Sequence, residues 1–151
     1  MMANIKTLEQ TLKANEFAIT AEIPAPISAS ASEMEEKIDL LTGHVHAINV
    51  TDNPGATAHM SSLAGCSIVR NKGIDPIFQV TCRDRNRLAI QSDLMGASAL
   101  GINNVLTLAG DPVKNGDQPD AKAVFDVNSK KILSIMQSMN DLGETMSGRQ
   151  L

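Results

Sequence analysis

A chain of 151 residues has the length of one ordinary domain, and its 42% hydrophobic content provides for a buried core. Thirteen basic against seventeen acidic residues give a formal net charge of −4, which argues against a general nucleic-acid-binding or membrane-surface protein. The sequence shows no signal-peptide pattern, no apolar run of about 20 residues and no cysteine pattern typical of disulfides, so we expect a cytoplasmic protein with residues 1–151 in a single domain.

Apolar periodicity and turn residues predict a leading helix followed by four strand–helix units. The leading helix is predicted over residues 4–14, with Ile5, Leu8 and Leu12 on its apolar face. Strands are predicted at residues 17–22, 45–50, 75–80 and 104–108. Helices are predicted after them at about 33–41, 57–71, 85–100 and 127–142, the first with Ser32 as its N-cap. This alternation is typical of an α/β fold with a parallel sheet.

Each predicted strand stops at a polar or glycine-bounded residue, and the stops recur about every 30 residues. Because the carboxyl-terminal ends of parallel strands emerge at one edge of a sheet, we expect the residues at these stops to lie together. They are Glu22, Thr51, Asp52, Thr81 and Asp111. Enzymes of the α/β class keep their chemistry at this edge, so the pattern also predicts where the site lies.

The number of strand–helix units leaves the architecture open between two arrangements. Eight such units close a barrel, whereas four leave a sheet with two unpaired edges. Strands that are apolar on both sides need cover on both faces. Either the helices divide over the two faces of an open sheet, or the sheet is half of a barrel.

Four segments, taken in their order and spacing, resemble the methylenetetrahydrofolate reductase family. They are TAEIPAP (20–26), NVTDNPGA (49–56) with MSSL (60–63), VTCRDRNR (80–87) with QSDL (91–94), and LAGD (108–111). The resemblance implies the first four βα units of a TIM-type (βα)8 barrel, so that the chain is the N-terminal half of a barrel, truncated or split. It also implies a flavin-dependent oxidoreductase of one-carbon and methionine metabolism. Such an enzyme reduces 5,10-methylenetetrahydrofolate to 5-methyltetrahydrofolate with NAD(P)H, and uses FAD or alternatively FMN.

The same resemblance assigns two catalytic carboxylates. Glu22 matches the acid that protonates the folate as its methylene bridge opens, a step that needs a proton donor because an amine nitrogen is expelled. A carboxyl group shielded from water can hold its proton near neutral pH. Asp111 matches the aspartate beside the flavin ring, where its charge would tune hydride transfer, and Gly110 would let the backbone approach that ring. On the residues alone, a capping role for Glu22 and a turn role for Asp111 are favoured.

Further cofactor-binding residues follow from the resemblance. Thr51 and Gln79 match positions that line the flavin, where Gln79 replaces a histidine of some members. Thr81 is grouped with them, although a strand residue satisfied within the sheet is the other interpretation. Phe125 and Asp126 fall near the stretch that contacts the adenosine. Ala109 departs from members that carry arginine there, so that side chain's contact is lost.

Three arginines, Arg83, Arg85 and Arg87, surround the start of the predicted third helix, where positive charge opposes the helix dipole. Two interpretations stay open. An anion at this position, such as a cofactor diphosphate or a polyglutamyl tail, would reverse the sign of the effect. Alternatively, the arginines pair with Asp84, Asp52 or Asp93.

No metal site is predicted. His44 and His46 flank one residue at the start of the second strand, away from the expected site, and no carboxylate or cysteine is locally in register with them. His59, Cys66 and Cys82 are interpreted as packing residues.

Two other functions stay open beside the reductase. The chain is alternatively a non-catalytic half-barrel subunit that binds or pairs with a second half, or a flavin-free barrel enzyme acting on a pterin. The expected partners are a folate substrate and either a second half-barrel or another copy of the chain, with no nucleic acid and no membrane. Because both sheet edges would be open, we expect the chain alone to be incomplete, inactive and poorly behaved.

Overall fold

The computed structural model describes residues 6–151, and the predicted alternation of strands and helices is confirmed there. The strands are β1 (Thr20–Ile23), β2 (Ala47–Val50), β3 (Asp75–Thr81) and β4 (Asn104–Leu108). The helices are α1 (Leu8–Lys13), α2 (Ala31–Leu41), α3 (Ser62–Asn71), α4 (Arg87–Ala99) and α5 (Ser129–Leu142). Short 3-10 turns at Pro54–Ala56 and Val113–Asn115 follow β2 and β4.

The sheet has the strand order β1-β2-β3-β4, and all neighbouring strands are parallel, as the sequence predicted. Glu22 lies beside Asn49 in the β1–β2 register, and Gln79 lies beside Leu106 in the β3–β4 register. The carboxyl-terminal strand ends therefore share one edge.

Alternation along the strands divides the sheet into two faces. On the first, which we call the helix-covered face, strand side chains pack in one core cluster with residues of four helices. The strand members are Ile23, Ile48, Val50, Phe78 and Val80, and the helical members include Met34, Ile38, Cys66, Val69, Ile90, Leu94, Ile132 and Ile135. The opposite face, which we call the site face, carries Glu22, Asn49, Gln79, Thr81 and Leu106. A parallel sheet of this kind is consistent with a partial TIM-type barrel.

Several predictions at the start of the chain differ from the structure. The first strand begins at Thr20 rather than residue 17, and Phe17 is 86% exposed. On α1 it is Thr11 that is buried while Leu12 is 59% exposed, so the predicted apolar face is wrong there. The predicted Ile5 and residue 4 lie outside the described residues.

The helix starts differ from the prediction because of their caps. Ser30, not Ser32, caps α2, its hydroxyl accepting from the Glu33 amide. The helix predicted from residue 57 begins only at Ser62, after the Ser61 cap. Asn86 likewise delays α4, because its side-chain oxygen accepts from two amides of the first turn. Within residues 6–151, none of the helices is long and apolar enough to cross a membrane.

Candidate functional site

A cavity of about 410 Å³ lies at the carboxyl-terminal edge of the sheet. Its walls come from the ends of all four strands and from the loops after β2, β3 and β4. The lining residues are Glu22, Thr51, Asp52, Pro54, Gln79, Thr81, Arg83, Leu106, Leu108, Ala109, Gly110 and Asp111. The structure thus brings together the predicted residues of strands one to four, whereas Phe125 and Asp126 lie outside this cavity.

The Glu22 carboxylate is held by two amides of the site face. Its Oε2 accepts a hydrogen bond from Asn49 Nδ2 at 2.9 Å and another from Gln79 Nε2 at 3.0 Å. Gln79 is therefore engaged with the acid in this structure. Glu22 itself is exposed, so the described residues do not provide the expected shielding from water.

The two threonines of the site differ in how their hydroxyls are satisfied. Thr81 donates both its amide N–H and its hydroxyl to Asp52 Oδ2, each at 2.9 Å. These two hydrogen bonds agree with the second interpretation of Thr81, in which the fold itself satisfies the side chain. Thr51 is buried, and its Oγ1 has no hydrogen-bond partner among the described residues. Asn49 Oδ1 is likewise a buried oxygen without a hydrogen-bond partner among the described residues.

Asp111 joins the loop after β4 to the loop after β2. Its Oδ2 accepts the Gly55 amide N–H at 2.9 Å. The preceding Gly110 has φ +91°, and a Cβ there would lie 3.0 Å from the Cβ of Arg83. Only glycine adopts this conformation readily, so the backbone at the cavity wall depends on it.

Each of the three arginines pairs with a carboxylate, and pairing is therefore the interpretation that the structure bears out. Arg83 contacts Asp84 at 2.7 Å. Arg85 bridges Asp52 at 2.6 Å and Asp93 at 2.8 Å. Arg87 contacts Asp126 at 2.7 Å, a partner that the sequence did not indicate. Since carboxylates already offset these charges, the arginines do not form an unpaired anion site.

The ion pairs shift the pKa values of their members. The side-chain hydrogen bond from Arg87 lowers the pKa of Asp126 to about 2, and the hydrogen bond from Arg83 lowers the pKa of Asp84. The same contacts raise the pKa of Arg83 and of Arg87. All of these groups are charged near neutral pH.

Phe125 and Asp126 line a second cavity of about 490 Å³, together with Arg87, Ala109 and Lys131. Ala109 borders both cavities, so the two adjoin. Phe125 has φ +41°, its amide N–H donates to the Cys82 carbonyl at 3.1 Å, and its side chain is 49% exposed.

A comparison with known protein families gives a match over most of the chain. The family model of methylenetetrahydrofolate reductase matches residues 7–148. The chain belongs to the methylenetetrahydrofolate reductase family. Membership indicates a folate-related oxidoreductase, and the family is generally flavin-dependent. A search of curated proteins finds no match to the chain.

The residues present fit the flavin that the methylenetetrahydrofolate reductase family generally uses. Thr51 presents a buried hydroxyl oxygen without a partner, which is costly unless another group bonds to it. Gly110 leaves the cavity wall without a side chain next to Asp111. A flat group with a polar edge matches both features.

Among the described residues, the histidines and cysteines contribute no further site, although Cys82 lines the second cavity. His46 Nδ1 accepts the Ile19 amide N–H at 3.0 Å, at the edge opposite the cavity. Cys66 and Cys82 are buried, and burial raises the pKa of the Cys66 thiol to about 12. Among residues 6–151, no group of three or more His, Cys, Asp or Glu is placed to hold a metal ion.

Sequence reasoning missed Asn49 as a partner of Glu22 and Arg83 as a wall of the cavity. No sequence signal identified Asn49, because it is the register between β1 and β2 in the folded chain that places it directly beside Glu22. No sequence signal distinguished Arg83 from the two arginines that follow it.

Proposed function

We propose that this protein uses FAD to reduce 5,10-methylenetetrahydrofolate to 5-methyltetrahydrofolate at the expense of NAD(P)H. The single observation that carries the proposal is the shared cavity of Glu22 and Asp111, with the unpartnered Thr51 hydroxyl between the strand ends. Family membership supports the folate-related redox chemistry.

Thr51, Gly110 and Asp111 hold the flavin ring in this proposal. The adjoining cavity lined by Phe125 and Asp126 takes the nucleotide portion, which favours FAD over the shorter FMN. A bound flavin supplies the group that accepts hydride from NAD(P)H and passes hydride to the folate. The chain's own residues position that group.

Glu22 acts as the general acid. Opening the methylene bridge expels an amine nitrogen, which needs a proton as the carbon–nitrogen bond breaks. The two amide donors on Oε2 keep that oxygen as an acceptor and direct the proton to Oε1. Because Glu22 is exposed on this chain, the bound substrate and cofactor supply its shielding from water.

Asp111 acts through its charge. Beside a bound flavin ring, the carboxylate would supply a fixed negative charge, which would affect the half-reaction with NAD(P)H and the half-reaction with folate alike. The Gly55 amide holds Oδ2 at 2.9 Å, which fixes the carboxylate without neutralising its charge.

We further propose that residues 1–151 act as one domain, the N-terminal half of a barrel, and that β1 and β4 pair with further strands. Their outer edges have no strand partner within residues 6–151, and Leu106 of the site face is 40% exposed. The mass in solution separates the alternatives. A dimer would support pairing of the chain with itself, whereas a soluble, cooperatively unfolding monomer would count against the half-barrel.

Stopped-flow absorbance of the flavin tests the catalytic roles, with each substrate added separately. Glu22→Gln keeps the shape of the side chain but loses the acid, so the folate half-reaction should fall by about 10²–10⁴-fold while the nicotinamide half-reaction stays nearly intact. Asp111→Asn should alter both half-reactions. Glu36→Gln, an exposed glutamate of α2, is the matched control and should change neither.

Two results would contradict these roles. If Glu22→Gln slowed the nicotinamide step as much as the folate step, Glu22 would have a structural role instead. If the purified protein bound a pterin but showed no flavin absorbance, the flavin-free alternative would be preferred.

A further inference from the structure

Arg83 is the largest of the fully buried side chains that the structure describes, with 2% of its surface exposed. A guanidinium in such a place is costly unless its N–H groups are paired. The proposed chemistry does not use Arg83, although it lines the cavity directly beside Gly110 and Asp111.

The guanidinium reaches three separate segments at once. Its Nε and Nη2 donate to the two oxygens of Asp84, each at 2.7 Å. Nη2 also donates to the Asn53 carbonyl at 3.0 Å, in the loop after β2. Nη1 donates to the Asp111 carbonyl at 3.3 Å, in the loop after β4.

These contacts form a closed ring of interactions. Arg83 bonds to the backbone of both Asn53 and Asp111, and the Asp111 side chain accepts from Gly55, two residues beyond Asn53. Without Arg83, the Gly55 bond would be the one hydrogen bond that attaches Asp111 to the β2 loop among the described residues.

The loop held by this ring has an unfavourable backbone. Asn53, Gly55 and Ala56 have φ of 47°, 62° and 57°, and alanine rarely adopts such values. The loop also touches the β4 loop directly, since a Cβ on Gly116 would lie 2.0 Å from the Ala56 carbonyl oxygen. A strained segment of this kind persists only when its surroundings hold it.

We propose that Arg83 is a positioning residue that fixes the loops after β2 and β4 relative to one another and thereby sets the position of the Asp111 carboxylate. The fork of five N–H donors is essential to this role, because a lysine ammonium cannot span the Asp84 carboxylate and two carbonyls together. The catalytic consequence rests on the proposed function, whereas the structural claim does not.

The Gly55 amide is a direct reporter of the ring, since it donates to Asp111. Amide hydrogen exchange of the chain is measured by NMR in the wild type, in Arg83→Lys and in Arg70→Lys, a control at an exposed arginine of α3. Arg83→Lys should accelerate Gly55 exchange by about tenfold or more, because a hydrogen bond to a charged group opens more often once its acceptor is free to move. Phe78 and Val80 should stay protected in every variant.

Unchanged Gly55 exchange in a folded Arg83→Lys protein would overturn the proposal. If Arg83→Lys fails to fold, the Arg83 side-chain resonances of the wild type test the proposal instead. Separate, slowly exchanging Nη–H resonances of Arg83 support the closed ring, and a single averaged set contradicts it.

Titration of the same variants with FAD, followed by fluorescence quenching, tests the catalytic consequence. Affinity should fall in Arg83→Lys and stay unchanged in Arg70→Lys, and equal affinity in Arg83→Lys and wild type would overturn that part. A wild type that bound no FAD would contradict the proposed function, while Gly55 exchange would still decide the role of Arg83.

Discussion

The two faces of the sheet use their strand residues differently. On the helix-covered face, Phe78 and Val80 are fully buried in a continuous apolar cluster. On the site face, Glu22 and Leu106 are exposed, and Asn49 keeps a buried oxygen without a hydrogen-bond partner among the described residues. One face is complete within this chain, whereas the other presents polar groups that a ligand or a further element would satisfy.

This difference explains how one short strand serves both stability and chemistry. Because successive side chains point to opposite faces, β3 places Phe78 in the core and Gln79 against Glu22. Substitutions on the helix-covered face should therefore reduce stability, and those on the site face should reduce ligand binding.

The largest effect is expected from truncation on the helix-covered face. Phe78→Ala should lower the free energy of unfolding by about 3–5 kcal/mol, since it opens a cavity in a close-packed core. Leu106→Ala, at a site-face side chain that is 40% exposed, should cost less than about 1.5 kcal/mol. Urea unfolding of both variants measures the two values, and equal losses would show that the two faces contribute equally to stability.

A substitution at Thr51 is expected to change the free energy of unfolding less than Phe78→Ala does, but to weaken FAD binding. Thr51→Val removes a buried hydroxyl that lacks a partner among the described residues, so the free energy of unfolding should stay close to that of wild type or rise. FAD affinity should nevertheless fall by about tenfold, because the ligand loses a hydrogen bond.

Thr107 offers a matched control on the helix-covered face, because its hydroxyl donates to the Ser129 carbonyl at 3.3 Å. Thr107→Val should cost about 1 kcal/mol and leave FAD affinity unchanged. If Thr51→Val destabilised the protein as much as Thr107→Val, the Thr51 hydroxyl would have a partner within the fold.

The smallest effect is a pH dependence of the Arg87–Asp126 pair at the second cavity. Asp126 has a folded pKa of about 2 against an ordinary value of 3.8, so its pairing supports the fold above the ordinary value. That support is lost as pH falls through about 2. NMR titration of the Asp126 carboxyl should give the low midpoint, and Arg87→Gln should return it toward the ordinary value.

The alternation of strands and helices and the recurrence of strand stops were sufficient to predict a parallel sheet and the edge at which Glu22 and Asp111 meet. They could not predict the partners of those side chains, because hydrogen bonds such as Asn49 to Glu22 depend on the register between strands. Helix starts were likewise missed where neighbouring residues compete for the cap, as with Ser30 and Ser32.

The arginines illustrate a further limit. Their sequence left an anion site and pairing equally open, and only the folded positions of Asp52, Asp93 and Asp126 decide between them. Arg85 and Arg87 bond to carboxylates 33 and 39 residues away in the chain, so no local pattern contains the information on these two contacts.

Flavin is proposed to bind at the carboxyl-terminal edge of the sheet, on the site face, and chemical-shift mapping with excess FAD locates its binding site residue by residue. The largest shifts should fall on the amides of Thr51, Gly55, Gly110 and Asp111, with none at His44 or His46. Shifts confined to the opposite edge of the sheet, or no shifts at all, would contradict flavin binding at this site.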